Sequence, residues 1–239
     1  MPTIGAVAGA HQTITKNNNQ MPNSPPQILI IAQRASNSIR SANACHFERK
    51  NMRIVFLKTA TSGLPNWRMP SEDPSQPVIV ELAYQVWDGQ HGITNECILD
   101  NGIAIAADAA ALHGLDQEKC AMEGVYPDQA IDTILREIAA SDRLVGFNVA
   151  FDIRMLRIMA ARVLKQDWEN PIPVYDVMQE SASHCRIPSS GRGGKQWKNP
   201  TLGQAYLHFF GEAKDIGYRA GPVCEIIRQI YEKMNPVLI

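Results

Sequence analysis

The 239-residue chain has no apolar run approaching the ~18 residues that a membrane-spanning helix requires. It also lacks a secretory signal, because its early apolar run, Ile28 to Ala32, is too short and starts too late. No two cysteines stand at CxxC spacing: Cys45, Cys97, Cys120, Cys185 and Cys224 are odd in number and scattered. That excludes a zinc ribbon or a disulfide frame and implies reduced thiols and a cytoplasmic location. Neither sign of charge dominates. The 23 Lys and Arg against 24 Asp and Glu leave a net charge of −1 and a pI near 6.6, which argues against a generally basic nucleic-acid binder. What the chain does have is 45% hydrophobic residues, enough to exclude global disorder and to supply the core of one domain of about 150–200 residues plus an appendage.

The charge is unevenly spread. Residues 1–51 carry Lys16, Arg34, Arg40, Arg49 and Lys50 against Glu48 alone, a net +4, so residues 52–239 carry −5. The first 51 residues also hold Asn17-Asn18-Asn19, Pro22 and Pro25-Pro26 with no sustained helical or strand period, the composition of a disordered tail. Glu48-Arg49-Lys50 can be encoded by purine-rich codons resembling a ribosome-binding site, and Met52 follows. The expectation is therefore a native start at Met52, with residues 1–51 a leader and 52–239 the domain. The intact mass of the protein from its own host tests this.

From Met52 onward strands and helices alternate, the signature of an α/β layer fold. Strands are predicted at 53–57, 78–87, 97–99, 144–147 and 172–175. Helices are predicted at 104–113, 127–140, 149–164, 201–210 and 222–234, and residues 183–200 are expected to form a loop. The 127–140 helix shows Ala130, Ile131, Ile134, Leu135 and Ile138 on one face, with Pro127 near its first position. Pro222 marks the expected start of the last helix.

Three separated segments carry a resemblance. Val55 to Pro65 (VFLKTATSGLP) resembles the first motif of the DEDD, or DnaQ-like, 3′–5′ exonuclease superfamily. Leu144 to Asp152 (LVGFNVAFD) is similar to its second motif, and Ala213 to Glu225 occupies the place of the third. Ala111 to Leu115, Tyr175 to Met178 and Trp197 to Gly211 match the intervening stretches, so the resemblance covers nearly all of 52–239. It implies a ribonuclease-H-like fold, a mixed sheet flanked by helices. It also implies phosphodiester cleavage by two divalent metals on four carboxylates, with a His or Tyr as base.

The chain departs from that pattern at the chemistry. Lys58 stands at the first acidic position, Ala60 at the second, Lys214 at the general base and Arg219 at the last acid, and only Asp152 is retained. Mg²⁺ and Mn²⁺ need hard oxygen ligands. Here Asp152 faces Lys58, Lys214 and Arg219 in the alignment, a net +2 that repels divalent cations even at an effective dielectric of about 20. No cofactor is expected, and Mg or Mn only if residual activity exists. The sharp reading is a pseudoenzyme that binds nucleic acid, a single-stranded DNA or a 3′ end, without cleaving it; the bland one is decay without a new role. Two further readings stay open. One is residual exonuclease activity, with Asp152 joined by Asp215 or Asp176 on one metal; the other is a protein-interaction module docking to a replication or repair protein.

Several other residues are candidates for contact. Ser62 and Gly63 form a turn whose amides can meet a nucleotide, or a plain turn. Asn148 is expected to cap the following helix or orient Asp152, which itself is expected to pair with Lys58 or Lys214. Phe147 stands where the family often has His and is read as core. Arg186, Arg192, Lys195 and Lys198 surround Trp197 with no acid among them, which suits single-strand contact. The alternative is a solvated loop with Trp197 packed inward. His113 and His208 are read as structural.

Overall fold

The computed structural model describes residues 52–88, 92–189 and 196–236; the N-terminal segment 1–51, Arg192 and Lys195 lie outside the described residues. Five strands form one mixed sheet in the order β3-β2-β1-β4-β5: β1 Ile54–Thr61, β2 Ile79–Trp87, β3 Gly92–Ile98, β4 Arg143–Gly146 and β5 Val174–Asp176. β2 runs antiparallel to β1 and β3, whereas β4 runs parallel to β1 and β5. Among the described residues seven helices flank it: α1 Ala107–His113, α2 Gln117–Glu123, α3 Pro127–Ala139, α4 Val149–Met159, α5 Val177–Cys185, α6 Leu202–Phe210 and α7 Ala220–Met234. This is the α/β class and the ribonuclease-H-like mixed sheet that the sequence implied.

The strand period of two divides the core. Val55 and Leu57 join Ile131, Ile134, Ile138, Met155 and Ile158 on the α3–α4 side. Ile54 and Phe56 join Ala220, Cys224, Ile227 and Tyr231 on the α7 side. Phe56 and Tyr175 both meet the Tyr231 ring edge-on, at centroid distances of 5.4 and 5.0 Å. Both faces of β1 are thus buried over its first half, which is why Ile54 to Leu57 read as an unbroken apolar run.

The elements differ from expectation where polar chemistry decides. β3 begins at Gly92 because its ladder to β2 runs from Trp87↔Gly92 to Glu81↔Ile98. As an exposed edge strand it needs no apolar alternation, so the sequence showed only its last residues. Two helices went unread. Asp116 accepts from the Lys119 amide to start α2, and Asp176 accepts from the Met178 amide to start α5. The loop expected from residue 183 therefore starts after Cys185. The long helix ends at Met159 and continues as a π turn, Ala160–Leu164, closed by Lys165 at φ +56°. α6 opens with a capping box between Thr201 and Gln204.

Candidate functional site

β1 outruns β4. Their pairing covers Ile54 to Phe56 only, so beyond Phe56 the first turn of α4 takes the place of β4 beside β1. Asp152 sits there without exposed surface. Its Oδ1 accepts from Lys58 Nζ at 2.8 Å, the Thr59 amide at 2.9 Å and the Thr59 hydroxyl at 2.7 Å. Oδ2 is buried with no partner among the described residues. Burial lifts the Asp152 carboxyl above the usual range, opposed by Lys58 and Thr59. The Lys58 ammonium also lies 5.4 Å from the Phe151 ring centroid. Of the two partners the sequence allowed for Asp152, the structure selects Lys58.

Arg219 and Lys214 have other partners. Arg219 precedes α7 and donates through Nε to Glu81 Oε1 at 2.7 Å, and its Nη2 pairs with the same oxygen and lies 3.5 Å from Glu96. The Ala220 amide donates to Glu81 Oε2 at 2.6 Å. Lys214 is exposed and lies over the Tyr206 ring, 5.2 Å from its centroid. The expected net +2 around one carboxylate is therefore corrected: the structure separates the cations and adds two acids. Burial and the adjoining Glu81 carboxylate raise the Glu96 carboxyl.

Glu81 is the residue that sequence reasoning missed. It is fully buried on β2, directly across the ladder from Ala60, and so on the same face as Ala60 and Lys58. The signal was available: a lone acid inside the apolar run VIVELAYQVW must have a partner. That partner also explains why α7 starts at Ala220, two residues before Pro222. Arg219 supplies no side-chain cap, and Glu81 receives the first amide of the helix instead.

The remaining candidates fall into place around this centre. Ser62 is buried: its amide donates to Val78 O at 2.9 Å, and its hydroxyl accepts from the Val78 amide at 3.0 Å, so it fastens the turn from within. Gly63 is half-buried, and its carbonyl accepts from the Thr61 hydroxyl. Asn148 corrects the expected cap. It is exposed at φ +59°, its side chain caps nothing, and its amide donates to Asp176 Oδ1 at 3.0 Å. Asp176 is thus occupied as a helix cap, and Asp215 accepts from the Gly217 amide on the surface. Trp197 is half-buried and bridged to Pro188, with Lys198 and Arg186 exposed nearby in sequence. His113 is buried. Its Nδ1 accepts from the Leu115 amide, which leaves Nε2–H to donate to Thr61 O at 3.2 Å and tie α1 to the end of β1.

The segment after β1 carries a second unforeseen feature. Leu64 and Trp67 are 84% and 61% exposed beside the β1 terminus. Beneath them Gln76 is buried, donating to the carbonyls of Asn66, Met69 and Pro70 and accepting from the Asn66 amide. Arg154 and Arg162 also donate to carbonyls of this segment. A backbone held at this many points presents its apolar side chains on a fixed surface.

The donors present do not fit a divalent metal pair. The Asp152 carboxylate has an ammonium against it, and no group of three or more His, Cys, Asp or Glu among the described residues can hold a metal. No described helix is long and apolar enough to cross a membrane.

The architecture is that of the ribonuclease-H-like α/β class. Among solved structures it is similar to Escherichia coli exonuclease I in complex with a dT13 oligonucleotide, with a TM-score of 0.58 at 12% identity over 78% of this chain and 41% of that one. Exonuclease I from Methylocaldum szegediense gives 0.54 at 16% identity over 78% and 42%. The E. coli enzyme with a dA16 oligonucleotide gives 0.56 at 13% identity over 78% and 42%. The chain therefore spans less than half of these proteins, and at such identities the likeness is one of fold. No protein-family model and no curated protein matches the sequence.

Proposed function

We propose that residues 52–239 form an exonuclease-fold domain that binds single-stranded nucleic acid or a 3′ end and does not hydrolyse it. The observation that carries this reading is the Lys58–Asp152 pair. The one retained acid has Oδ1 filled by three donors of the chain itself, and the other motif positions supply no carboxylate. Water activation and leaving-group stabilisation by metal need several oxygen ligands that these positions do not offer. Binding is supported by other groups. Trp67 offers an exposed face for base stacking with Leu64 as an apolar neighbour in sequence, and Arg68, Arg186 and Lys198 are exposed cations suited to phosphate. The similar exonuclease I structures were solved with dT13 and dA16 oligonucleotides.

The test is a labelled oligonucleotide with a 3′ overhang. Binding is expected to weaken as salt rises, and no nucleotide release is expected with Mg²⁺ or Mn²⁺. Metal-dependent release that disappears in Asp152→Ala sinks the non-hydrolytic reading. Absence of binding at low salt sinks the nucleic-acid reading.

A further inference from the structure

One face of α4 and the π turn carries Arg154, Arg157 and Ala161 at helical spacing, and Lys165, which closes the turn in the left-handed region, follows them. Together with Ser71 they line a cavity of about 530 Å³ where this face meets the segment after β1. The Nε atoms of Arg154 and Arg157 are both buried and have no acceptor among the described residues. A buried donor left without an acceptor is costly, so two of them on residues that line one cavity favour an incoming acceptor. Arg154 is held by its other nitrogens, which donate to Ser71 Oγ at 2.8 Å and to Met69 O. Ser71 thus accepts from Arg154 and keeps its own hydroxyl proton to donate. Arg157 reaches the exposed carboxylates of Asp167 and Glu169 only at 3.5 and 3.4 Å, through Nη2.

We propose that this cavity is an oxyanion site that takes a phosphodiester of a nucleic-acid strand. Guanidinium N–H groups match phosphate oxygens in geometry and charge. Glu72 and Asp167 also line the cavity and Glu169 lies 3.4 Å from Arg157, so three acids balance the three cations, and the preference for an oxyanion rests on the unanswered guanidinium N–H groups rather than on net charge. The strand as occupant rests on the nucleic-acid reading above; the oxyanion site does not.

The Nε–H signals of the ¹⁵N-labelled full-length protein report the site directly. Dimethyl phosphate, against chloride at equal ionic strength, is expected to shift the Arg154 and Arg157 signals saturably. The shift should vanish in Arg157→Gln/Lys165→Gln, which spares the Arg154 contacts. The same variant is expected to bind oligothymidylate about tenfold more weakly, with the salt slope reduced by about two. No saturable shift with dimethyl phosphate or inorganic phosphate overturns the site. A saturable shift with unchanged oligothymidylate affinity overturns the strand as occupant and assigns free phosphate. A saturable shift in a protein that binds no oligonucleotide supports the site and sinks the nucleic-acid reading alone.

Discussion

Asp152 has all its described donors on one oxygen, three on Oδ1, while Oδ2 is buried without a partner among the described residues. The pH response decides which influence wins. Burial raises the carboxyl above its ordinary value of 3.8 against the pull of Lys58 and Thr59. A group that holds its proton more tightly folded than unfolded adds stability that is fully present below 3.8 and lost as pH rises through the folded value. Asp152→Asn keeps the shape and removes the titration. Urea unfolding across a pH series is expected to show wild-type stability, relative to this variant, declining as pH climbs through the carboxylate range. A relative stability that instead grows with pH means that Lys58 outweighs burial. Cys224 is pushed up to about 12, burial being the main cause, so its thiol stays protonated and unreactive at neutral pH.

Helix α7 depends on a neighbouring strand for its start. Glu81 receives both the Arg219 guanidinium and the Ala220 amide, so truncating it leaves a cation and a helix amide unanswered at once. Glu81→Ala is expected to cost about 2–3 kcal/mol, below the range for fully buried pairs because Arg219 is partly exposed and keeps Glu96 nearby. It should also speed hydrogen exchange in the first turn of α7; unchanged exchange there means the turn is held by packing alone. This dependence marks the limit of what the sequence shows. Elements with an apolar period were legible, such as β1, β2 and α3. Edge strand β3 and the short helices α2 and α5 were not, because their formation rests on ladder bonds and Asp caps. Lys58 and Asp152 were legible through their motifs. Glu81, Gln76 and Trp67 were not, because their roles arise from contacts between segments distant in the chain or from exposure at a loop.

At the scale of the whole molecule, the buried carboxylates Asp152 and Glu81 are both answered by cations of the chain itself, so folding should be indifferent to metal. A ligand that binds only the folded state stabilises it by about 2.7 kcal/mol at a hundredfold excess over its Kd. For a domain of this size each kcal/mol moves the melting temperature by about 2–4 °C. A competent metal site would therefore show a rise of several degrees. The wild-type chain is expected to melt at the same temperature with Mg²⁺, with Mn²⁺ or with EDTA, because the Lys58 ammonium adjoins Asp152 and Arg219 neutralises Glu81. Replacing those cations reverses the electrostatics. Lys58→Asp, Ala60→Glu and Arg219→Asp together place three new acids beside Asp152 and Glu81, so the variant should be less stable in EDTA and gain a metal-dependent rise. A rise of several degrees in the wild type overturns the argument even if the variant fails to fold, because it shows that the native chain binds the metal with groups other than these.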